Sequence, residues 1–344
     1  MHVAVLGAGR VGSTLGRLWH AAGHDVTFTA RHTARPRALA AELGEHAYAA
    51  SVADAVAAAG VVLVAVPGPV VLDVLTAAGR LDGRVVIDAA TSFGQRQSMR
   101  SLADAFPRAR WARAFNSLSV NVMADDNHRE PPWVLFLSGD DEAKPAAAQL
   151  IRDAGFDPVD LGGVDDSQLQ DPGSALWSYT LTHDEATALV ARIKSGDAAA
   201  ADPLTAPFEK FRDQAPDDPA FFLEHLSHSV FEAGIWQVAQ DKWDAILEAF
   251  HGFNPAQVAG MTSAEIAAIE NDARVIRNKS KIRATVGNAR EVLAILDSYG
   301  SIHAYFASFE DAHAASRDLQ RRFKFIGEAG VQRLLSSAAR DIGG

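Results

Sequence analysis

Short apolar runs recur from the N-terminus to about residue 161, and the stretches between them have helical spacing. Val3–Leu6 leads directly into glycines. Gly12–Ala22 then places Leu15, Leu18 and Trp19 on one helical face. Asp25–Thr29 reads as a second strand. Val61–Val66 is apolar throughout, as a strand covered on both sides of a parallel sheet should be. Arg84–Asp88, Trp111–Phe115, Trp133–Ser138 and Pro158–Leu161 read as further strands. Strands alternating with helices predict an α/β, doubly wound, mostly parallel sheet over residues 1–182. The strand signal then fades. Residues 183–207 are rich in alanine and contain Pro203 and Pro207, which predicts a linker region. From Phe208 to the end nearly every apolar position has helical spacing, so 208–344 is expected to be all-helical. The clearest helices are Phe221–Gln240, Lys242–Phe250, Thr262–Glu270, Asn278–Tyr299 and Glu310–Gln320.

Composition narrows the chemistry. A chain of 344 residues is long enough for two cores. It contains no cysteine, which excludes disulfides and thiolate metal sites and fits a reducing cytoplasm. No basic stretch leads into an apolar core at the N-terminus, so no leader peptide is expected. The longest apolar run, Val61–Leu75, is broken by Pro67-Gly68-Pro69, and no membrane span is expected. The net charge of −11 gives no global field for nucleic acid, although a local basic patch can still supply one. A small-molecule substrate is the expected partner, and self-association is left open.

Gly7-Ala8-Gly9-Arg10-Val11-Gly12 follows the first strand and opens the first helix. In that context the pattern predicts a dinucleotide cradle of the Rossmann type. Gly7 allows the tight turn, Gly9 lets a pyrophosphate approach the backbone, and Gly12 lets helix and strand pack closely. Sites selective for NAD place an acid at the end of the second strand to bind the ribose 2′-hydroxyl. Here that strand ends Thr29-Ala30-Arg31-His32, and the nearest acid, Asp25, stands at its beginning. A guanidinium at Arg31 suits a 2′-phosphate, with His32, Thr33, Arg35 and Arg37 close by. The predicted cofactor is therefore NADP(H). Val66 and Pro67, at the end of the strand Val61–Val66, are expected to line the same crevice.

Further residues extend the pattern: Gly23–Thr27, Val64-Ala65-Val66-Pro67, Arg113–Ser117, Gly139-Asp140-Asp141, Gly155–Asp160 and Ala175-Leu176-Trp177. Over about residues 1–180 the chain resembles the deazaflavin-dependent NADP reductase-like family. The resemblance implies an NADP(H)-binding oxidoreductase module and leaves a deazaflavin open as second cofactor. The family usually has serine before the arginine that follows strand two. Here that position is Ala30, so one expected phosphate contact is missing. Asn116 and Ser117 either face a nicotinamide ring or end a strand in a turn, and the residues alone read more simply as a turn.

The helical half carries Phe231–Ile235, Trp243–Leu247, Phe253-Asn254-Pro255, Val275–Ile282, Asn288-Ala289-Arg290, Gly300-Ser301 and Phe323–Gly327. Over about 218–335 it resembles the DNA-3-methyladenine glycosylase I family. That implies a helix–hairpin–helix fold with the hairpin near Phe325-Ile326-Gly327. The family's base-recognising glutamate falls on Ser229 here. Without cysteines, the family's zinc is expected to be absent. Glu232 lies about one helical turn from the lost acid. It either supplies a displaced carboxylate, with Trp236 as a stacking wall, or is a plain surface group. Arg274, Arg277, Lys279, Lys281 and Arg283, with Arg321, Arg322 and Lys324 at the hairpin, either contact phosphates or form a solvated face beside Glu270, Asp272 and Glu291. His225 and His228 have metal-ligand spacing but no third partner.

The preferred reading is an NADPH-dependent oxidoreductase acting on a small molecule, such as a nucleoside or nitrogen heterocycle. In it the repurposed helical domain holds the substrate or performs a second step at a C–N bond. Two alternatives stand beside it: a non-catalytic DNA-lesion or nucleotide-binding protein with a redox-sensing module, and a bifunctional base-excising glycosylase.

Overall fold

The computed structural model describes residues 1–344 apart from 92–97, 178–179, 233–238, 240–241 and 343–344, and apart from the side chains of 199, 232 and 340. The chain forms two compact units, Met1–Ala201 and Asp202–Gly344.

The first unit is built on one eight-stranded sheet with strand order β3-β2-β1-β4-β5-β6-β7-β8. The strands are β1 (His2–Leu6), β2 (Asp25–Thr29), β3 (Ala47–Ala49), β4 (Val61–Val64), β5 (Val85–Asp88), β6 (Arg110–Ala114), β7 (Val134–Gly139) and β8 (Asp157–Asp160). Neighbouring strands from β3 through β6 are parallel, and β7 pairs antiparallel to β6 through Ala112 and Gly139. Gly139 is required there: at φ +143° a Cβ would lie 2.2 Å from the Trp111 carbonyl. The central strands are apolar on both sides because helices cover both faces. Helix Arg10–Ala21 buries Leu15 and Trp19, and the indole donates to the Leu150 carbonyl at 2.8 Å. The sequence pattern missed β3, whose three residues are too few to show a period.

The expected linker is the main departure. Helix His183–Lys194 belongs to the first unit. Glu185 accepts from the Thr182 amide and hydroxyl at its start, both at 2.9 Å, and His183 pairs with Asp157 of β8 at 2.7 Å. That Thr-x-x-Glu start was present in the sequence, but the alanines beyond it hid the helix. Helix Thr205–Gln214 buries Phe208 and Phe211 in the core of the second unit. Residues 183–207 are thus mostly packed structure.

Among the described residues the second unit is all-helical around one apolar core. Several residues that mark the sequence serve as helix caps. Asn254 accepts from Ala256 and Gln257 ahead of Pro255, Asn278 accepts from Lys281, and Ser301 accepts from Ala304. Asn288, buried in the long helix Lys279–Tyr299, clamps the hairpin. Its amide accepts from the Lys324 N–H at 2.8 Å and donates to the Lys324 carbonyl at 3.3 Å. The hairpin falls between helices Ala312–Arg322 and Glu328–Asp341, as the sequence placed it.

Candidate functional site

Strands β1, β4, β5 and β6 run in one direction, so the segments that follow them meet at one edge of the sheet. After β1 the chain turns back toward β2, and after β4 it moves the other way toward β5. The crevice opens where the winding reverses. Its floor is the glycine loop. Gly7 has φ +109°, and a Cβ there would lie 2.4 Å from the Ala65 carbonyl and 2.8 Å from Val66. A Cβ on Gly12 would lie 2.1 Å from the Gly7 carbonyl and 2.8 Å from Val5, so helix and strand touch through it. Gly9 differs: among the described residues nothing lies within 4 Å of its would-be Cβ. Two of the three glycines are therefore required by packing, and the third faces open space.

Gly9 is also the N-cap of helix Arg10–Ala21. Among the described residues no side chain caps this helix, and no acid sits in its first turn. Its first amides point out with a positive field, a ready seat for phosphate. The residues present thus fit the pyrophosphate of a dinucleotide. Val11, in the first turn, is half-buried against the core, as is Val66 beside the loop's entry, whereas Pro67 is exposed. Thr29, buried at the end of β2, holds the loop by accepting from the Gly7 and Ala8 amides at 3.1 and 2.8 Å.

Past Thr29 the chain emerges. Ala30 is half-buried, and Arg31, His32, Thr33 and Arg35 are exposed, as is Arg37. Among the described residues Arg31 and Arg35 form no hydrogen bond or ion pair. Thr33 stands at the start of helix Ala34–Leu43, which also lacks a side-chain cap and a first-turn acid. Asp25 lies at the far end of β2, bonded to His46 at 2.9 Å.

The sequence reading missed Asn121. Arg10 Nη2 donates to Asn121 Oδ1 at 2.5 Å, which ties the glycine loop to helix Val120–Asp125 after β6. It also missed a buried polar network behind the crevice. Arg113, fully buried, pairs with buried Asp88 at 2.5 Å, with Asp171 at 2.7 Å and with the Ala90 carbonyl at 3.1 Å. Gln170 donates to the Arg113 carbonyl and to Ser138 Oγ, and Asn116 donates to the Gln170 carbonyl at 2.7 Å. These pairings link residues far apart in the chain, so no local spacing announces them. Asp88 alone is visible, as a charged residue ending an otherwise apolar strand.

In the helical unit Glu232 ends helix Pro219–Glu232, but its side chain and all of Trp236 lie outside the described residues. Ser229, at the family's glutamate position, is buried. Most of the basic stretch is neutralised. Arg274 pairs with Asp272 and with Glu248 at 2.9 and 3.0 Å, and Lys279 and Arg283 pair with Glu270 at 3.7 and 2.7 Å. Arg321 and Arg322 bind Asp318. Lys281 is buried and donates to the Phe231 carbonyl at 3.2 Å, and burial, reinforced by nearby Arg333, pulls its pKa down. It is no phosphate contact. His225 bridges the Phe221 carbonyl and Asp341, both at 2.8 Å, so its ring nitrogens are engaged. Among the described residues no cluster of three suitable side chains could hold a metal, and no helix is long and apolar enough to cross a membrane.

Comparison with known proteins agrees with both halves. Residues 2–92 match the family model for coenzyme F420-dependent NADP oxidoreductases, and residues 211–339 match the model for methyladenine glycosylases. The DNA-3-methyladenine glycosylase of Haemophilus influenzae is 29% identical over 128 residues, which is 31% of this chain and 69% of that one. A hypothetical protein of Sinorhizobium meliloti is 30% identical, covering 54% of this chain and 96% of its own, with a TM-score of 0.49. A structure described as a putative F420-dependent NADP reductase from Arthrobacter sp. FB24 is 27% identical, covering 48% of this chain and 86% of its own, with a TM-score of 0.42. The chain therefore joins an N-terminal domain of the NADP oxidoreductase family to a C-terminal methyladenine glycosylase domain.

Proposed function

We propose that this protein is an NADPH-dependent oxidoreductase acting on a small molecule, with nucleosides or nitrogen heterocycles as the substrate class. One observation carries the reading: an exposed Arg31 without an ion-pair partner among the described residues, at the start of an uncapped helix, beside an open glycine cradle. That arrangement suits a 2′-phosphate, and among the described residues it lacks the acid that binds a free 2′-hydroxyl in NAD-selective sites. Gly7, Gly9 and Gly12 would seat the pyrophosphate, with Arg31, His32 and Arg35 at the 2′-phosphate. When bound, the cofactor supplies hydride. Hydride can pass directly between two stacked rings with no acid–base side chain in its path, and a neutral substrate then takes up one proton from water. The glycosylase-like domain, with serine in place of the family's acid, would hold the substrate or carry a second step at a C–N bond through Glu232.

The test is a fluorescence titration with NADPH and NADH, repeated on Arg31→Ala. NADPH should bind the more tightly, and the variant should lose at least tenfold for NADPH and nothing for NADH, the size expected for a charge-assisted pair. Equal affinities in the parent protein would end the 2′-phosphate reading.

A second reading, binding of damaged DNA, is favoured by the hairpin. It is held in shape by Asn288 and presents Phe325, a large apolar side chain that is 53% exposed. It requires DNA affinity that falls steeply with salt. The paired cations on the neighbouring face weigh against it.

A further inference from the structure

The segment that follows the short 3-10 helix Val164–Gln170 lies across the carboxyl ends of β5 and β6. Asp171 pairs with Arg113 at 2.7 Å, and the same guanidinium donates to the carbonyl of Ala90, just beyond β5. Trp177 donates from its indole nitrogen to the carbonyl of Asn116, just beyond β6, at 3.1 Å. Both ends of the segment are thus tied to the edge of the sheet that carries the glycine loop. The rim between them is continuous. The Ala89 amide donates to the Val64 carbonyl at 3.1 Å, and Ala65 and Val66, next in the chain, are the residues that stand against Gly7. With the order β1-β4-β5-β6, three strand spacings separate the glycine loop from the end of β6, roughly 14 Å.

Burial sorts the residues of this edge. Asn116 and Ser117 are buried, and Asn116 donates inward to the Gln170 carbonyl at 2.7 Å, so the two form the turn after β6. Gln170 is buried as well and bonds the Arg113 carbonyl and Ser138 Oγ. The inner side of the segment is therefore closed by a polar network. Trp177 differs in keeping accessible surface: it is half-buried. With the inner side closed, that surface opens outward, over the carboxyl ends of the strands, where ligands of open α/β sheets lie. The bond from its N–H holds the plane of the indole, so the exposed part is a fixed aromatic surface.

We propose that Trp177 is the wall against which a flat ring lies at the hydride end of the crevice, opposite the phosphate end marked by Gly9. The contact is an aromatic face against a planar ring, and that chemistry is shared by the nicotinamide and by a heterocyclic acceptor. The proposal rests on the cofactor reading above and adds to it the surface that orients the reacting ring.

Trp177→Phe is the main test, because it keeps a ring at the position and changes its electronic character. Parent and variant are titrated with 2′,5′-ADP, which has no nicotinamide, with NADP+, and with riboflavin added to the NADP+ complex. A nicotinamide on the indole gives a broad charge-transfer absorbance when NADP+ binds, and the band disappears in Trp177→Phe. A ring of the acceptor type on the indole instead quenches the fluorescence of bound riboflavin, and the quenching is relieved in Trp177→Phe. Trp177→Ala should then lose about three- to tenfold in affinity for whichever ligand gave the signal, the worth of one stacked ring, and nothing for 2′,5′-ADP. Neither signal in the parent protein, a signal unchanged in Trp177→Phe, or equal loss of 2′,5′-ADP and NADP+ in Trp177→Ala would each overturn the inference and leave the cofactor reading intact. Failure of the parent protein to bind either 2′,5′-ADP or NADP+ would overturn both.

Discussion

Arg10 and Asn121 are 111 positions apart in the chain, yet Arg10 Nη2 donates to Asn121 Oδ1 at 2.5 Å. The bond joins the first turn of the helix after β1 to the helix after β6 and so braces two walls of one crevice. A bond to a charged donor is worth about 1.5–3 kcal/mol when buried, and this one is part-buried, which places it near the lower end. Asn121→Ala should weaken NADPH binding about tenfold and lower the melting temperature by a few degrees. Titration and thermal melting of the same preparation check both. Loss of stability with unchanged affinity would show that the bond braces the fold and not the site.

The glycines of the loop should separate cleanly. Gly9 faces open space, so Gly9→Ala should melt like the parent protein while losing most of its dinucleotide affinity, because the methyl stands where the pyrophosphate must lie. Gly12→Ala drives a methyl to 2.1 Å from a backbone carbonyl, so the helix must shift. Overpacking of this kind costs about 1–3 kcal/mol, and the variant should be destabilised with or without cofactor. If Gly9→Ala binds NADPH like the parent protein, the loop does not seat a phosphate.

How far the sequence reached depends on whether the physics is local. The strand ahead of the glycine loop and the apolar run at Val61 were legible because period and burial are properties of neighbouring residues. Arg31 was legible for the same reason, as a basic residue at a fixed place after a strand. The caps Asn254 and Asn278 and the clamp Asn288 stood out as motif residues, although their duties became plain only in the fold. Asn121, Gln170 and the Asp88–Arg113 pair act across the fold and leave no spacing to read. Lys281 misled, because a lysine among arginines looks solvated until its burial is seen. The alanine-rich stretch after Thr182 hid a helix, since alanine carries no hydrophobic period.

The buried Arg113 should be costly to strand. Its nearest carboxylate is Asp88, 1% exposed at 2.5 Å. Removing one member of a buried pair leaves the other charge poorly compensated, at a cost of about 3–5 kcal/mol. Asp171, more exposed, still holds the other arm of the guanidinium, which moderates the loss. Asp88→Asn should therefore shift the urea midpoint well down with an unchanged slope. Adding Arg113→Met should recover part of the loss. A double variant no better than the single would mean that the pair's shape, and not its charge, matters.

The helical unit carries its own acid-sensitive element. Asp318 accepts from the Tyr305 hydroxyl at 2.8 Å and from Arg322 at 2.6 Å, and it also binds Arg321. Burial pushes its carboxyl up, but these donors more than offset that and hold it below its ordinary value of 3.8. A carboxylate with a depressed folded-state pKa adds stability above the unfolded value, and that stability is lost as pH falls through the folded one. The contribution should therefore be intact at neutral pH and disappear below about pH 3.8. Asp318→Asn should lower the melting temperature near pH 7 and flatten its fall in acid, so that the two proteins converge at low pH. Parallel melting curves for parent and variant across that range would show that other carboxylates carry the acid sensitivity.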